Sequence, residues 1–131
     1  MRIGIFGGTF DPPHNGHLAL AQACMKELAL DEVLFVPAAQ NPLKTLGPKA
    51  GGEDRLTMVS LLTAGQTGMG VVDLELRRGG PSYTVDTISD LQLVRPAEYW
   101  LLLGSDALAG FGQWRQPSKI LKMARLGVVL R

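Results

Sequence analysis

Cysteine is almost absent from this sequence, which contains only Cys24. A single thiol forms no disulfide within the chain and provides no Cys-rich zinc site. Because Cys24 lies among apolar residues at helical spacing, we expect it to be a small buried core residue. Hydrophobic packing alone then has to stabilise the fold, and 131 residues suffice for this in one domain.

Long apolar runs and an excess of one charge are also missing. No apolar segment reaches the roughly 18 residues of a membrane-spanning helix, and the residues after Met1 do not resemble a signal peptide. Lys and Arg together number 13 against 12 Asp and Glu, which argues against binding to nucleic acid or to a membrane surface. We therefore expect a cytoplasmic protein, which is monomeric or homodimeric. The near-zero net charge is compatible with a small anionic ligand, because local clusters of charge decide its binding.

Predicted strands and helices alternate along the chain. Apolar runs predict strands at 2–6, 32–36, 71–76, 98–103 and 126–130. Helices are predicted from residue 13 at the earliest to 28, over 53–64, around Val85, Ile88 and Leu91, near 107–111 and over 117–125. This order indicates an α/β fold, a Rossmann-like open parallel sheet of about five strands with helices on both faces. In such sheets, ligands bind beyond the carboxyl ends of the strands.

The first predicted strand ends at two glycines, Gly7 and Gly8, which are followed by Thr9. Glycine lacks a Cβ atom, so the backbone can turn sharply here and a ligand can approach its N–H groups. Neither a G-x-x-x-x-G-K-[ST] loop nor a G-x-G-x-x-G loop is present, which excludes two common nucleotide sites.

Two histidines follow these glycines, at the start of the first predicted helix. His14 is expected at the mouth of the helix and His17 about one turn in, on the same face. Together with the helix N–H groups they predict a polyphosphate site, and Gly16 leaves room for a bulky ligand. The alternative is that the glycines only make a turn and the histidines only cap the helix. A metal site is not expected, because no third ligand follows at a recognisable spacing.

The stretch GGTFDPPHNGH at 7–17 resembles the signature of the nucleotidyltransferase superfamily with an H-x-G-H motif. Within it, the chain is similar to bacterial nicotinate-nucleotide adenylyltransferases. Three later stretches carry that similarity: NPLK at 41–44, SYTVDT at 82–87, and GSD at 104–106 with Phe111 and Trp114 beyond it. The resemblance runs over the whole chain in order. It implies that ATP and nicotinate mononucleotide give deamido-NAD and pyrophosphate, with Mg²⁺ held through the ATP phosphates rather than by the protein.

The resemblance also implies three sets of site residues. The catalytic groups would be Thr9, His14, His17 and Lys44. The ATP-binding residues would be Gly7, Gly8, Thr9, Phe10, His14, Gly16, His17, Gly104 and Asp106. The residues that bind nicotinate mononucleotide would be Lys44, Ser82, Tyr83, Thr84 and Trp114.

Several of these residues also have a structural interpretation. Lys44 is equally compatible with a solvated loop position, Asp106 with a cap of the next helix, and Trp114 with the edge of the core. Ser82 or Thr84 is expected to cap the helix that follows, and its first N–H groups suit a nicotinate carboxylate. Arg55, by contrast, is predicted to form only a surface or loop ion pair.

The implied chemistry needs little from the side chains. A phosphate monoester is mostly ionised at neutral pH, so the attacking group requires no general base. Positioning of two polyanions and stabilisation of the leaving pyrophosphate remain, and loop N–H groups with Thr9, His14 and His17 suit both tasks.

Two alternatives stay open from the sequence. One is another H-x-G-H enzyme, such as a pantetheine-phosphate adenylyltransferase. The other is an ATP-binding fragment without full activity, because the family's Ile-Ser-Ser-Thr-x-x-Arg motif and closing helices have no counterpart here. We expect residues 1–131 to form a single nucleotidyltransferase domain that lacks the family's C-terminal segment.

Overall fold

The computed structural model describes residues 1–39 and 50–129. The strands are β1 Arg2–Gly8, β2 Glu32–Pro37, β3 Met69–Val71, β4 Glu98–Gly104 and β5 Ala124–Val129. The helices are α1 Asn15–Glu27, α2 Gly52–Thr63, α3 Leu74–Arg78, α4 Thr84–Val94, α5 Ser105–Ala109 and α6 Pro117–Met123, with a 3-10 turn at Phe111–Gln113. Among these helices, none is both long and apolar enough to cross a bilayer.

The five strands form one sheet in the order β3-β2-β1-β4-β5. Every neighbouring pair is parallel. The chain builds outward from β1 to β2 and β3, then returns to the other side of β1 for β4 and β5. The order therefore reverses between β1 and β4, and a crevice is expected above their carboxyl ends. The predicted Rossmann-like parallel sheet with five strands is confirmed.

Two hydrophobic layers cover the two faces of the sheet, because successive side chains of a strand point in opposite directions. In β2, Leu34 and Val36 pack with α4 and α6, whereas Val33 and Phe35 pack with α1 and α2. Cys24 belongs to the second layer and is 2% exposed, as expected from its neighbours. Burial raises the pKa of its thiol.

The third predicted strand is wrong in its position. The sequence predicted a strand over 71–76, but β3 ends at Val71 and α3 begins at Leu74. A short apolar run satisfies a strand pattern and a helix pattern alike. Here the helix is favoured by Asp73 and Arg77, which lie four residues apart and pair at 2.8 Å. The residues predicted as a basic loop from position 77 therefore begin inside a helix.

The last two elements also shift slightly. Helix α6 ends at Met123, and β5 begins directly at Ala124 rather than at residue 126. Strand β5 pairs with β4 over its whole length, from Ala124 opposite Tyr99 to Val129 opposite Gly104. Pairing with the neighbouring strand therefore decided this boundary.

Candidate functional site at the switch in strand order

Two cavities lie beyond the carboxyl ends of β1 and β4, where the strand order reverses. The small cavity has a volume of about 200 Å³ and the large cavity about 690 Å³. Residues from β1, β4 and the start of α5 line both cavities: Gly7, Gly8, Leu102, Asp106 and Ala107. The two cavities are therefore parts of one cleft, which meets at the paired glycines.

The two histidines form a reciprocal cap at the start of α1. His14 is the N-cap residue, and its Nδ1 accepts a hydrogen bond from the Gly16 N–H at 3.1 Å. The Nδ1 of His17 accepts from the His14 N–H at 3.0 Å. Each neutral ring then carries its hydrogen on Nε2, on the side away from the backbone. Capping and ligand binding are thus compatible in these residues.

The imidazole rings are also stacked on each other. Their centroids lie 3.8 Å apart and their planes differ by 25°. The ring of His17 lines the small cavity and packs edge-on against Phe10, with 5.0 Å between centroids. His14 does not line either cavity and lies on the outer side of His17. The pair therefore extends from the cavity wall outward to solvent.

Glycine is required at position 16 because of the neighbouring His14 ring, rather than to leave room for a ligand. A Cβ atom at this position would lie 2.8 Å from Cε1 and 2.9 Å from Nδ1 of His14. Any side chain at position 16 would push that imidazole out of its capping position. The middle residue of the H-x-G-H motif therefore allows the first histidine to fold back over the helix start.

The buried side chain of Phe10 anchors the loop after β1 to the core. Its side chain is 3% exposed and packs against Phe6 and Phe35, although its φ is +52°. The ring also lies under Gly8, where a Cβ atom would approach it at 3.3 Å. The side chain of Phe10 thus belongs to the core and to the floor of the small cavity, and only its backbone is suited to contact a phosphate.

The prediction that Arg55 forms a surface or loop ion pair is wrong. It is 2% exposed and donates hydrogen bonds to three carbonyl oxygens, those of Thr9 at 2.9 Å, Ala38 at 2.6 Å and Ala50 at 3.1 Å. Burial lowers the pKa of its guanidinium, while the charge of Asp11 opposes that shift. Arg55 therefore joins the loop after β1 to the residues after β2 and before α2.

Gly104 and Asp106 bring the end of β4 to the cleft. Gly104 is the N-cap residue of α5, and no side chain caps this helix. Asp106 lies in the first turn of α5, is exposed and lines both cavities. Its carboxylate is therefore exposed at the cleft, and the alternative of a capping role for Asp106 is wrong.

The start of α4 forms one wall of the large cavity, which is lined by Ser82, Tyr83 and Thr84. The N-cap residue is Tyr83, and no side chain caps the helix, so the expected cap by Ser82 or Thr84 is wrong. The Arg115 guanidinium lies 4.7 Å from the centre of the Tyr83 ring and lines the same cavity. A cation and an aromatic ring thus flank the first turn of α4.

Trp114 also lines the large cavity. Its ring packs against Phe111 with 5.1 Å between centroids and reaches the core layer of α4 and α6. The remaining surface of the ring lines the cavity. The core-edge interpretation of Trp114 is therefore confirmed, and because part of the ring also faces the cleft, stacking on a ligand stays a prediction.

Glu75 is a cavity residue that the sequence did not single out. It is 6% exposed, and the Thr87 hydroxyl donates to its carboxyl at 2.6 Å. The Ser82 hydroxyl also hydrogen bonds this carboxyl. Burial raises the pKa of Glu75 above its usual value, and the hydroxyls and Arg78 counteract part of that rise.

Two further predictions concern Lys44 and metal binding. Lys44 and the rest of the NPLK stretch lie outside the described residues, so their contacts stay predictions. Within 1–39 and 50–129, no three His, Cys, Asp or Glu side chains are grouped closely enough to hold a metal ion.

The sequence model of the cytidylyltransferase-like family matches residues 5–131. The chain belongs to this family. It is 45% identical over 132 residues to a Chromobacterium violaceum protein named "Probable nicotinate-nucleotide adenylyltransferase", covering 99% of this chain and 62% of that protein. A Rhodopirellula baltica protein of the same name is 45% identical over 130 residues, with 98% and 61% covered. The chain thus spans somewhat under two thirds of the length of these relatives.

Solved structures share the fold of this cytidylyltransferase-like chain. A Vibrio parahaemolyticus protein whose name gives the same activity superposes with a TM-score of 0.81 at 20% identity, covering 97% of this chain and 76% of that one. Plasmodium falciparum nicotinic acid mononucleotide adenylyltransferase, solved in complex with NaAD, gives 0.75 at 18% identity, with 99% and 75% covered. At these identities the comparison establishes the architecture.

Most of the predicted site residues in this member of the cytidylyltransferase-like family converge on the cleft. The residues that line it are Gly7, Gly8, Phe10, His17, Ser82, Tyr83, Thr84, Gly104, Asp106 and Trp114. Thr9, His14 and Gly16 lie beside it, in the turn between β1 and α1. These residues come from four separate segments, which only the parallel sheet brings to one edge.

Proposed function

We propose that this protein transfers the adenylyl group of ATP to nicotinate mononucleotide, giving deamido-NAD and pyrophosphate. The observation that carries the proposal is the single cleft that joins the H-x-G-H turn to the start of α4. Its small part is bordered by N–H groups and His17, which suit phosphates, and its large part has an aromatic wall. The names of the relatives at 45% identity support the same activity.

ATP is proposed to bind with its phosphates at the small cavity. The N–H groups of the loop at Gly8 to Phe10 and the Thr9 hydroxyl donate to phosphate oxygens. Asp106 accepts hydrogen bonds from the ribose. The Nε2–H groups of His14 and His17 donate to the outer phosphates, because their Nδ1 atoms already accept from backbone N–H groups.

Nicotinate mononucleotide is proposed to occupy the large cavity, with its ring against Trp114. The ring carboxylate accepts from the first N–H groups of α4, where the helix dipole is positive. Arg115 adds a positive charge on the same wall. Lys44 is proposed to contact a phosphate from the side, as the resemblance implies. An uncharged amide gains less from this environment, so nicotinate is the favoured ring.

In the reaction, a phosphate oxygen of nicotinate mononucleotide attacks the α-phosphorus of ATP. A new phosphorus–oxygen bond forms, and the bond to the β-phosphate oxygen breaks and releases pyrophosphate. The attacking oxygen is already ionised, so no residue has to remove a proton. The two imidazoles and the loop N–H groups stabilise the charge that develops on the leaving group.

Mg²⁺ is proposed to arrive with ATP and to neutralise part of the phosphate charge. The ion is held through the ATP phosphates and its own water ligands rather than by the protein, which is a common mode of binding for Mg²⁺. A reaction between free nucleotides also suits the expected cytoplasmic location.

The test measures pyrophosphate release from ATP and Mg²⁺ with nicotinate mononucleotide. Two variants separate ligand binding from helix capping: His14→Asn keeps an N-cap acceptor, and His17→Gln keeps the partner at the third helical position. Both lose the imidazole Nε2–H. We expect each to reduce kcat about 100-fold while the melting temperature changes by only a few degrees.

Two results would count against the proposed function. Folded wild-type protein that releases no pyrophosphate contradicts it outright. Faster turnover with pantetheine phosphate than with nicotinate mononucleotide would instead favour the other H-x-G-H activity. If His14→Asn and His17→Gln retain full turnover, the histidines are only caps.

A further inference from the structure

Glu75 occupies an unusual position for a carboxylic acid. It lines the large cavity and is 6% exposed, yet no basic side chain hydrogen bonds it in the described part of the chain. Its partners are the hydroxyls of Ser82 and Thr87, both of which are also buried. Burial of an acid without a paired cation is costly, so hydroxyl donors are needed to hold it there.

The hydroxyl partners connect Glu75 to two other segments. Ser82 also accepts a hydrogen bond from the Ala39 N–H at 3.0 Å, which links the residues after β2 to this network. Thr87 lies in the first turns of α4 and is 1% exposed. One carboxyl in α3 thus joins the start of α4 to the residues that directly follow β2.

The network also determines which donors remain at the start of α4. The hydroxyls of Ser82 and Thr87 are directed to Glu75, and the helix has no side-chain cap. The first N–H groups of a helix have no partner within it. Backbone N–H groups, together with the Thr84 hydroxyl, are therefore the donors that this helix start offers to a ligand in the large cavity.

We infer that Glu75 is a positioning residue for the acceptor nucleotide: its carboxyl takes the Ser82 and Thr87 hydroxyl hydrogens and fixes the start of α4, so that backbone N–H groups meet the ring carboxylate. The inference rests on the proposed function, because it concerns the acceptor half of that cleft. Glu75 does not touch the reacting phosphates, so its replacement should change acceptor binding and leave ATP binding as it is.

The test compares KM values for the two substrates in Glu75→Leu, Glu75→Gln and Thr87→Val. Loss of the buried hydrogen bonds in Glu75→Leu should raise KM for nicotinate mononucleotide about 10- to 100-fold, with KM for ATP within about twofold of wild type. Glu75→Gln retains one acceptor and should stay within about fivefold. Glu27→Leu, at an exposed position of α1, is the matched control.

Thr87→Val keeps the shape of the side chain but removes the hydroxyl that donates to Glu75. This variant provides the test if Glu75→Leu does not fold. It should raise KM for nicotinate mononucleotide about fivefold or more, and Thr87→Ser should restore it. A purely structural role of Glu75 would lower the melting temperature and change both KM values equally, which would overturn the inference.

The failure of this inference is distinguishable from that of the proposed function. Wild-type protein without pyrophosphate release contradicts the function, and calorimetric titration with nicotinate mononucleotide then decides the role of Glu75. Weaker binding by Glu75→Leu or Thr87→Val than by wild type supports the inference. Equal binding, including no binding by either protein, overturns it.

Discussion

Replacing Arg55 with methionine should destabilise the protein more than any replacement of an exposed arginine. Arg55 is 2% exposed and donates to three carbonyl oxygens, those of Thr9, Ala38 and Ala50, at 2.6–3.1 Å. Methionine fills a similar volume but donates no hydrogen bond. The Thr9 carbonyl follows β1, whereas those of Ala38 and Ala50 lie between β2 and α2, and each would lose its donor.

The magnitude follows from two opposing contributions. Each hydrogen bond from a charged donor contributes about 1.5–3 kcal/mol, but removal of the guanidinium also relieves the cost of its burial. Each carbonyl that loses its donor costs about 1–3 kcal/mol, so three of them, less the relieved burial cost of the guanidinium, give a net cost of about 3–5 kcal/mol. For a domain of this size, that corresponds to a fall in melting temperature of about 10–20 °C, out of a total stability of about 5–15 kcal/mol.

The assay is thermal unfolding followed by circular dichroism, with two comparison variants. Arg55→Lys keeps the charge and part of the hydrogen bonding, so it should lie between Arg55→Met and wild type. Arg77→Met removes an exposed arginine whose ion pair with Asp73 is worth less than about 1 kcal/mol. If Arg55→Met melts within about 3 °C of wild type, the three hydrogen bonds do not anchor the loops as described.

Three further results are expected. Gly16→Ala should reduce pyrophosphate release, because its Cβ would lie 2.8 Å from the His14 ring, whereas Gly51→Ala meets no atom within 4 Å and should not; equal rates would refute this. Burial raises the pKa of Glu75 above its usual 4.5, so the folded state retains a proton that the unfolded chain releases. The free energy of unfolding therefore falls as the pH rises from the usual pKa to the raised pKa of the folded state. Urea midpoints from about pH 4 to 8 should therefore decline for wild type relative to Glu75→Gln; parallel curves would exclude the effect. Arg115→Gln should lower the kcat/KM ratio of nicotinate to nicotinamide mononucleotide about two- to fivefold, and an unchanged ratio would exclude a role for that charge.

The order of strands and helices was predictable because burial on both sheet faces imposes strict spacing on apolar residues. β2 illustrates this, since its residues Val33 to Val36 are all buried and alternate between two core layers. The run at 71–76 contains too few residues for spacing to distinguish a strand from a helix. There, the outcome depended on pairing with β2 and on the ion pair of Asp73 and Arg77.

The site was predictable where its residues act locally. The connection between β1 and α1 brings together Gly7, Gly8, His14 and His17 within positions 7–17. Their spacing in the sequence alone therefore indicates a phosphate-binding loop. Arg55 offered no such signal, because its partner Thr9 is 46 positions away and an arginine in an amphipathic helix usually lies on the surface. Glu75 likewise offered no signal, because its partner Thr87 is 12 positions away and belongs to the next helix.

These two unforeseen residues have a common physical role, which is to fix loop ends around a site for anions. A guanidinium is suited to the phosphate side because it satisfies three carbonyls at once and places a buried positive charge behind the loop of Thr9. On the acceptor side, Glu75 is buried beside hydroxyl donors, and its raised pKa reduces the negative charge near an anionic ligand. Loop anchoring and ligand electrostatics therefore depend on the same side chains. It follows that substitution of Arg55 should change stability and ATP affinity together, and that substitution of Glu75 should change the affinity for the acceptor nucleotide and not that for ATP. Substitution of the Nε2–H donors at His14 and His17 should mainly change turnover.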